Sequence, residues 1–199
     1  GLTHARHIMA VIAAVEASAG LGVKDMDGFA ATVGPGSFTG LRIGMSTVKG
    51  LAMATAKPVA PVSSLEALAW QWGTATKLIC ACMDARRQQV YWALFRRREG
   101  RGLERLAPDK VSAPEALVDQ LKEVCVVIGD GALLYQQLFP TAPGGQIQIA
   151  PPEMSHIRAS AVAMLGRKAF QKKAVVSAQR LMPIYLRSAD AKLPQVTPV

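Results

Sequence analysis

The segment GPGSFTGLRIG, residues 34–44, follows the apolar run 29–33 and opens an apolar stretch that continues to Ala56. A strand that ends in glycines and enters a helix gathers free backbone N–H groups at the positive end of the helix dipole, where an anion can bind. The spacing therefore indicates a phosphate-like loop. Its candidate residues are Gly34, Pro35, Gly36, Ser37, Thr39 and Gly40.

The loop lacks the partners that nucleotide sites require. A Walker loop has lysine and then Ser or Thr at the helix start, whereas Leu41 and Arg42 follow Gly40. A dinucleotide site has an acidic residue about twenty residues further on, where this chain has serines. A structural turn in which Ser37 or Thr39 caps the next helix is the alternative, and we expect the loop to be structural first.

Other residues that could do chemistry are sparse. Cys80, Cys82 and Cys125 are too few for a disulfide framework, so we expect buried thiols and no metal site. His4 and His7 are three residues apart but lack the glutamate of zinc-peptidase motifs, which predicts a surface pair.

Asp84 lies where a predicted strand turns back. Arg86 follows two residues later and can pair with it. Because no second carboxylate, histidine or metal motif accompanies Asp84, we expect it to stabilise the turn.

The elements that must position these residues follow from hydrophobic periodicity and turn residues. A helix is predicted over residues 3–18, with Thr3 as cap and with Ile8, Val11, Ile12 and Val15 on its core face. A helix over residues 114–123 would have Ser112 as its cap. Further helices are predicted over residues 41–56, 65–72, 133–139 and 157–172. Strands are predicted over residues 29–33, 59–62, 78–83, 90–96, 103–106, 125–128 and 146–149. The first two strands form a parallel pair with a right-handed crossover, and residues 78–106 form an antiparallel meander. The result is a two-lobed α/β protein divided near residues 73–76.

Composition limits the function classes. The 199 residues are 50% hydrophobic, which is typical of a globular chain, and no run approaches the roughly 20 apolar residues that span a bilayer. Residues 1–16 lack a signal-peptide pattern, so we expect a cytoplasmic protein that does not bind membranes. The net charge of +9 indicates an acidic partner, with nucleic acid as the first candidate.

Four segments, in order and spacing, resemble the bacterial TsaB family, also called YeaZ: GPGSFTGLRIGMSTVKGLA, MDARRQQVYWALF, GDGA and PIYLR. The resemblance covers nearly the whole chain. It implies the two-lobed actin/Hsp70-like ATPase (ribonuclease H-like) fold, with residues 1–75 in an N-terminal lobe and 76–199 in a C-terminal lobe.

The resemblance also implies a function. TsaB proteins are non-catalytic partners of TsaD, which completes N6-threonylcarbamoyladenosine on the tRNA adenosine beside the anticodon, and TsaE and an adenylate synthase complete the pathway. The complex uses ATP, and no cofactor is assigned to this chain. The alternatives are an ATP-using enzyme of the same superfamily that acts through the loop from Gly34 to Gly40 or, with less support, a metal-dependent peptidase, as older glycoprotease names suggest.

The chain departs from the family in two places. Family members begin with an LALDTS-like strand and a hairpin, so we expect the first strands of the N-terminal lobe to be absent here. Gln89 stands where the family often has glutamate, so no role of that carboxylate is carried over.

The family pattern implies two surfaces. In the family, the helices flanking the loop pack against TsaD and form homodimers when TsaD is absent; the alternative is that their surplus apolar surface covers amino-terminal strands. The predicted interface residues are His7, Met9, Ala13, Gly44, Thr47, Gly50 and Ala54. The cations predicted to face tRNA, or otherwise to form a solvated rim, are Arg86, Arg87, Arg96, Arg97, Arg98, Lys172 and Lys173.

Overall fold

The computed structural model describes residues 2–73, 78–98, 102–139 and 147–187, with the backbone alone for residues 2–6. The helices are α1 (Leu2–Ala19), α2 (Phe38–Thr55), α3 (Ser64–Trp70), α4 (Pro114–Val118), α5 (Asp130–Leu134) and α6 (Ala159–Gln171). The strands are β1 (Phe29–Gly34), β2 (Val59–Ser63), β3 (Leu78–Arg86), β4 (Gln89–Arg98), β5 (Gly102–Arg105), β6 (Lys110–Ser112), β7 (Cys125–Ile128) and β8 (Ile147–Ile149).

The first sheet is the parallel pair of β1 and β2, which confirms the predicted pairing. Between them, α2 buries Leu41, Met45 and Ala52 toward the sheet. The last helix, α6, contacts both strands, and a Cβ on Gly166 would lie 2.5 Å from the Cβ of Ala30. A glycine is required there because the helix and β1 approach so closely.

The second sheet has the strand order β5, β4, β3, β7 and β8, with β6 paired to the start of β4. β3, β4 and β5 are antiparallel neighbours, as predicted, whereas β7 and β8 are added in parallel. Alternate residues of β3 enter different cores: Ile79 packs with α3, and Cys80 packs with Leu117 of α4. Burial on both faces explains the continuous apolar run of this strand.

Helix α3 joins the two sheets, because it contacts β1 and β2 as well as β3 and β4. Its Leu65 and Leu68 are fully buried in the core that contains Phe95. The helix begins where the Ser63 hydroxyl accepts a hydrogen bond from Glu66 N, at 3.3 Å.

Three local predictions were wrong. Thr3 lies inside α1 and does not cap it. Val11 and Val15 are 61% and 62% exposed, because α1 contacts α2 and is not enclosed by a core. Ser112 lies in β6, where its hydroxyl accepts a hydrogen bond from Trp92 Nε1, and Ala113 precedes α4.

The predicted boundary between the lobes falls partly on residues 74–77, which lie outside the described residues. The division into residues 1–75 and 76–199 therefore stays a prediction. Within the described ranges, no helix has both the length and the apolar character required to cross a membrane.

Candidate functional site

One cleft of about 880 Å³ gathers residues from all four sequence motifs. Its walls include residues 35–39 of the glycine loop, residues 83–86 at the end of β3, Asp130 at the start of α5, and residues 184–187 near the C-terminal end of the described chain. Side chains far apart in sequence therefore meet at the end of β1 and at the turn between β3 and β4.

The glycine loop has the geometry of a tight turn. Gly34 has a φ of +122°, and a Cβ there would lie 2.5 Å from the carbonyl oxygen of Ile184. The Ser37 hydroxyl accepts a hydrogen bond from Gly40 N, at 3.2 Å, which confirms Ser37 as the cap of α2. Backbone geometry and capping thus account for Gly34 and Ser37 without a bound anion.

The two carboxylates in the cleft wall are both engaged within the protein. Asp84 accepts a hydrogen bond from Arg86 N at 2.8 Å and pairs with the Arg86 guanidinium at 3.1 Å, so the predicted turn pair is confirmed. Asp130 accepts hydrogen bonds from the amides of Asp84, at 3.1 Å, and Gly131, at 2.9 Å. Asp130 therefore joins the end of β3 to the segment that follows β7, and Asp84 stabilises the turn between β3 and β4.

Sequence reasoning missed Asp130 as a cleft residue. The available signal was its position directly after the buried strand β7, since the carboxyl ends of adjacent parallel strands meet at one edge of a sheet.

An aromatic and cationic stack lies at the mouth of the cleft and was also missed. The Arg42 guanidinium lies 3.8 Å from the centroid of the Phe38 ring, and its Nε donates to the Tyr185 hydroxyl at 3.2 Å. The Phe38 and Tyr185 rings are 5.1 Å apart, a distance typical of interacting aromatics. The stack joins the first turn of α2 to the segment PIYLR.

The predicted partner residues lie on two helices that contact each other. On α1, His7, Met9 and Ala13 are exposed. On α2, Gly50 and Ala54 are exposed. Gly44 and Thr47 are half-buried.

The predicted RNA-facing cations do not form one free cluster. Arg96 pairs with Glu123 at 2.5 Å and Arg98 with Glu104 at 2.7 Å. Arg97 donates hydrogen bonds to the carbonyl oxygens of Trp70 and Trp72, and these bonds stabilise the C-terminal end of α3.

The remaining cations predicted to face RNA lie at two other places. Arg86 and Arg87 occupy the β3–β4 turn, and Arg86 is the partner of Asp84. Lys172 and Lys173 are exposed just after α6. The seven cations thus occupy separate regions of the described chain.

All three thiols are buried, as predicted. Burial raises the pKa of Cys80 and of Cys82, and raises that of Cys125 to about 11. In the part of the chain that the structure describes, no group of three or more His, Cys, Asp or Glu residues could hold a metal ion.

Comparison with known proteins places this geometry in a family. The family model described as TsaD: tRNA N6-adenosine threonylcarbamoyltransferase matches residues 2–195. The chain is 33% identical over 172 residues to the tRNA threonylcarbamoyladenosine biosynthesis protein TsaB of Bacillus subtilis, covering 85% of this chain and 73% of that protein. It is 31% identical over 197 residues to the TsaB of Haemophilus influenzae, covering 94% of this chain and 80% of that protein.

A solved structure agrees with these relatives. YeaZ from Pseudomonas aeruginosa superposes with a TM-score of 0.80 at 27% identity, covering 92% of this chain and 85% of that one. The predicted α/β class and actin-like fold are therefore confirmed. On the sequence and the fold together, the chain belongs to the TsaB (YeaZ) family.

Proposed function

We propose that this protein is the partner subunit that TsaD requires to form N6-threonylcarbamoyladenosine on tRNA. The relatives' names give the pathway, because they are called tRNA threonylcarbamoyladenosine biosynthesis proteins. The matching family model bears the name of the transferase itself, which supports a role with TsaD in that pathway. The complex in this proposal also includes TsaE, uses ATP and works in the cytoplasm.

The observation that carries the proposal is the exposed apolar surface of α1. Met9, Val11 and Val15 are 47%, 61% and 62% exposed, whereas Ile8 and Ile12 are half-buried. Met9 and the exposed Ala13 lie one turn apart on one side of the half-buried residues, and Val11 and Val15 lie on the other side. Exposed apolar side chains gathered on one helix are typical of an interaction surface. A partner helix from TsaD would cover it.

Helix α2 supplies the small residues that a closely packed helix pair needs. Gly50 and Ala54 are exposed, and a Cβ at Gly50 would meet no atom within 4 Å. The Thr47 hydroxyl donates to the Ile43 carbonyl oxygen at 3.0 Å. Because that hydroxyl donates within its own helix, a partner can cover it without leaving its proton unpaired. The proposed interface therefore unites α1 with the outer side of α2.

A homodimer through the same face is the expected state when TsaD is absent. The two assemblies compete, because each buries Met9 and Ala13. Added TsaD should therefore dissociate the homodimer in a concentration-dependent way.

Catalysis is assigned to TsaD and not to this chain. The cleft carboxylates, Asp84 and Asp130, already accept hydrogen bonds from backbone amides and from Arg86. Leu41 replaces the Walker lysine after Gly40. The alternative, an ATP-using enzyme, predicts ATP hydrolysis by the purified chain that is abolished by replacing Ser37 and Thr39 with alanine.

The tRNA contact is proposed at the end of α6. Lys172 and Lys173 are adjacent and exposed, and the described residues give them no carboxylate partner. Arg96 and Arg98 have glutamate partners that would have to be displaced by phosphate. When an unpaired lysine neutralises a phosphate, the counterions condensed on the nucleic acid are released, and this favours binding. We therefore place the tRNA contact at these two lysines.

The proposal is tested by reconstitution. Tagged chain is mixed with TsaD, and the co-purified complex is supplied with TsaE, the adenylate synthase, threonine, bicarbonate, ATP and unmodified tRNA. Modified nucleoside is then quantified with and without this chain. The proposal expects stable pairing and modification that depends on the chain; full modification without it would contradict the proposal.

A further inference from the structure

Residues 181–187, here named the C-terminal strap, cross from the first sheet to the second. The strap is anchored at Leu181, which is 1% exposed and packs in the core with Met45 and Ala52 of α2. Ile184 N then donates to the carbonyl oxygen of Val33 at 2.7 Å. At the far end, the Arg187 guanidinium donates to Gln89 Oε1 of β4 at 3.3 Å.

The strap holds α2 at its first turns. Tyr185 accepts a hydrogen bond from Arg42 Nε, and Arg42 covers the ring of Phe38. Phe38 is the first residue of α2, and Arg42 lies about one turn further along. Arg42 is exposed and lies on one flank of α2, beside the core face formed by Leu41 and Met45. Gly44 lies on the other flank, so the strap and the core together fix the helix from two adjacent sides.

We propose that Tyr185 and Arg42 are positioning residues for the partner-binding face of α2. The inference rests on the proposed function, since Gly44 and Thr47 follow Arg42 within two turns on the same helix. A helix held in its bound orientation before association loses less conformational entropy on binding, so the strap would raise affinity without touching TsaD.

The stack offers substitutions of graded effect. Tyr185→Ala removes both the ring and the hydroxyl, whereas Tyr185→Phe keeps the ring against Phe38 and removes only the acceptor for Arg42. Arg42→Ala removes the cation that covers the Phe38 ring and the donor to the Tyr185 hydroxyl. Met182→Ala is the matched control, because Met182 belongs to the strap but is 66% exposed.

Two measurements decide the inference: hydrogen exchange of amides 41–47 in the isolated chain, and the affinity for TsaD. We expect Tyr185→Ala and Arg42→Ala each to accelerate exchange there and to weaken TsaD binding about tenfold, a size seen for residues that act without touching the ligand. Tyr185→Phe should fall between Tyr185→Ala and wild type. The variant that combines Tyr185→Ala with Arg42→Ala should bind TsaD as tightly as Arg42→Ala alone, because the two residues act as one unit.

Exchange of β3 amides serves as the measure of global stability and should stay as in wild type. The positioning role is contradicted if Tyr185→Ala matches Met182→Ala in both exchange and affinity. A wild-type chain that fails to bind TsaD would contradict the proposed function instead. In that case, unchanged exchange in Tyr185→Ala would still overturn the positioning role, and accelerated exchange would support it.

Discussion

Ile184 N donates a 2.7 Å hydrogen bond to the carbonyl oxygen of Val33, and the Ile184 carbonyl oxygen faces the next residue, Gly34. The strap thereby lies directly against the residue at which β1 enters the glycine loop. This contact explains why the loop begins with glycine.

Replacing Gly34 by alanine is expected to destabilise the chain. The added Cβ would lie 2.5 Å from Ile184 O, and the φ of +122° strains any L residue. We expect the free energy of unfolding to fall by roughly 1–3 kcal/mol, measured by urea denaturation.

Gly44→Ala is the matched control, because a Cβ there meets nothing within 4 Å and the residue lies inside α2. It should raise the free energy of unfolding by roughly 0.5–1 kcal/mol. Equal effects of the two substitutions would contradict the proposed role of the strap contact at Gly34.

The buried thiols predict loss of stability at alkaline pH. The pKa of Cys125 is raised from 9.0 to about 11 in the folded chain, so the thiol ionises in the unfolded chain first. The unfolded state then binds fewer protons than the folded state, and the free energy of unfolding falls as pH rises above about 9. Urea midpoints measured with reductant from pH 8 to 10.5 should decline, and the decline should be shallower in Cys125→Ala. A slope identical to wild type would show that Cys125 does not contribute.

These results bear on what the sequence can predict. Hydrophobic periodicity was sufficient for the parallel pair β1–β2 and for the β3–β4–β5 meander, because adjacent elements dominate those contacts. The place of Asp130 in the cleft was missed although its position after β7 was a signal, whereas the approach of Tyr185 to the glycine loop was not predictable, since it depends on long-range packing of distant segments. Spacing alone also misplaced Val11 and Val15, because an apolar stripe does not say whether the same chain covers it.

The tRNA surface is tested by charge removal within the reconstituted complex. Replacing both Lys172 and Lys173 with alanine should weaken tRNA binding. The slope of log K against log salt concentration should become shallower by the amount that about one to two phosphate contacts contribute. Replacing Arg96 and Arg98 should change both much less, because each already has a glutamate partner. Filter binding across a salt series measures both effects. Equal losses from the two pairs would contradict the assignment to the lysines.

The central claim is that TsaD covers the outer face of α1 and α2, and paired alanine-to-glutamate variants test it most directly. Ala13 and Ala163 are both exposed helical alanines, but only Ala13 lies on the proposed face. Ala13→Glu would bury an unpaired charge on binding, so the affinity for TsaD measured by calorimetry should fall about a hundredfold, while circular dichroism matches wild type. Ala163→Glu should bind as wild type does. Wild-type affinity in a folded Ala13→Glu variant would contradict the claim.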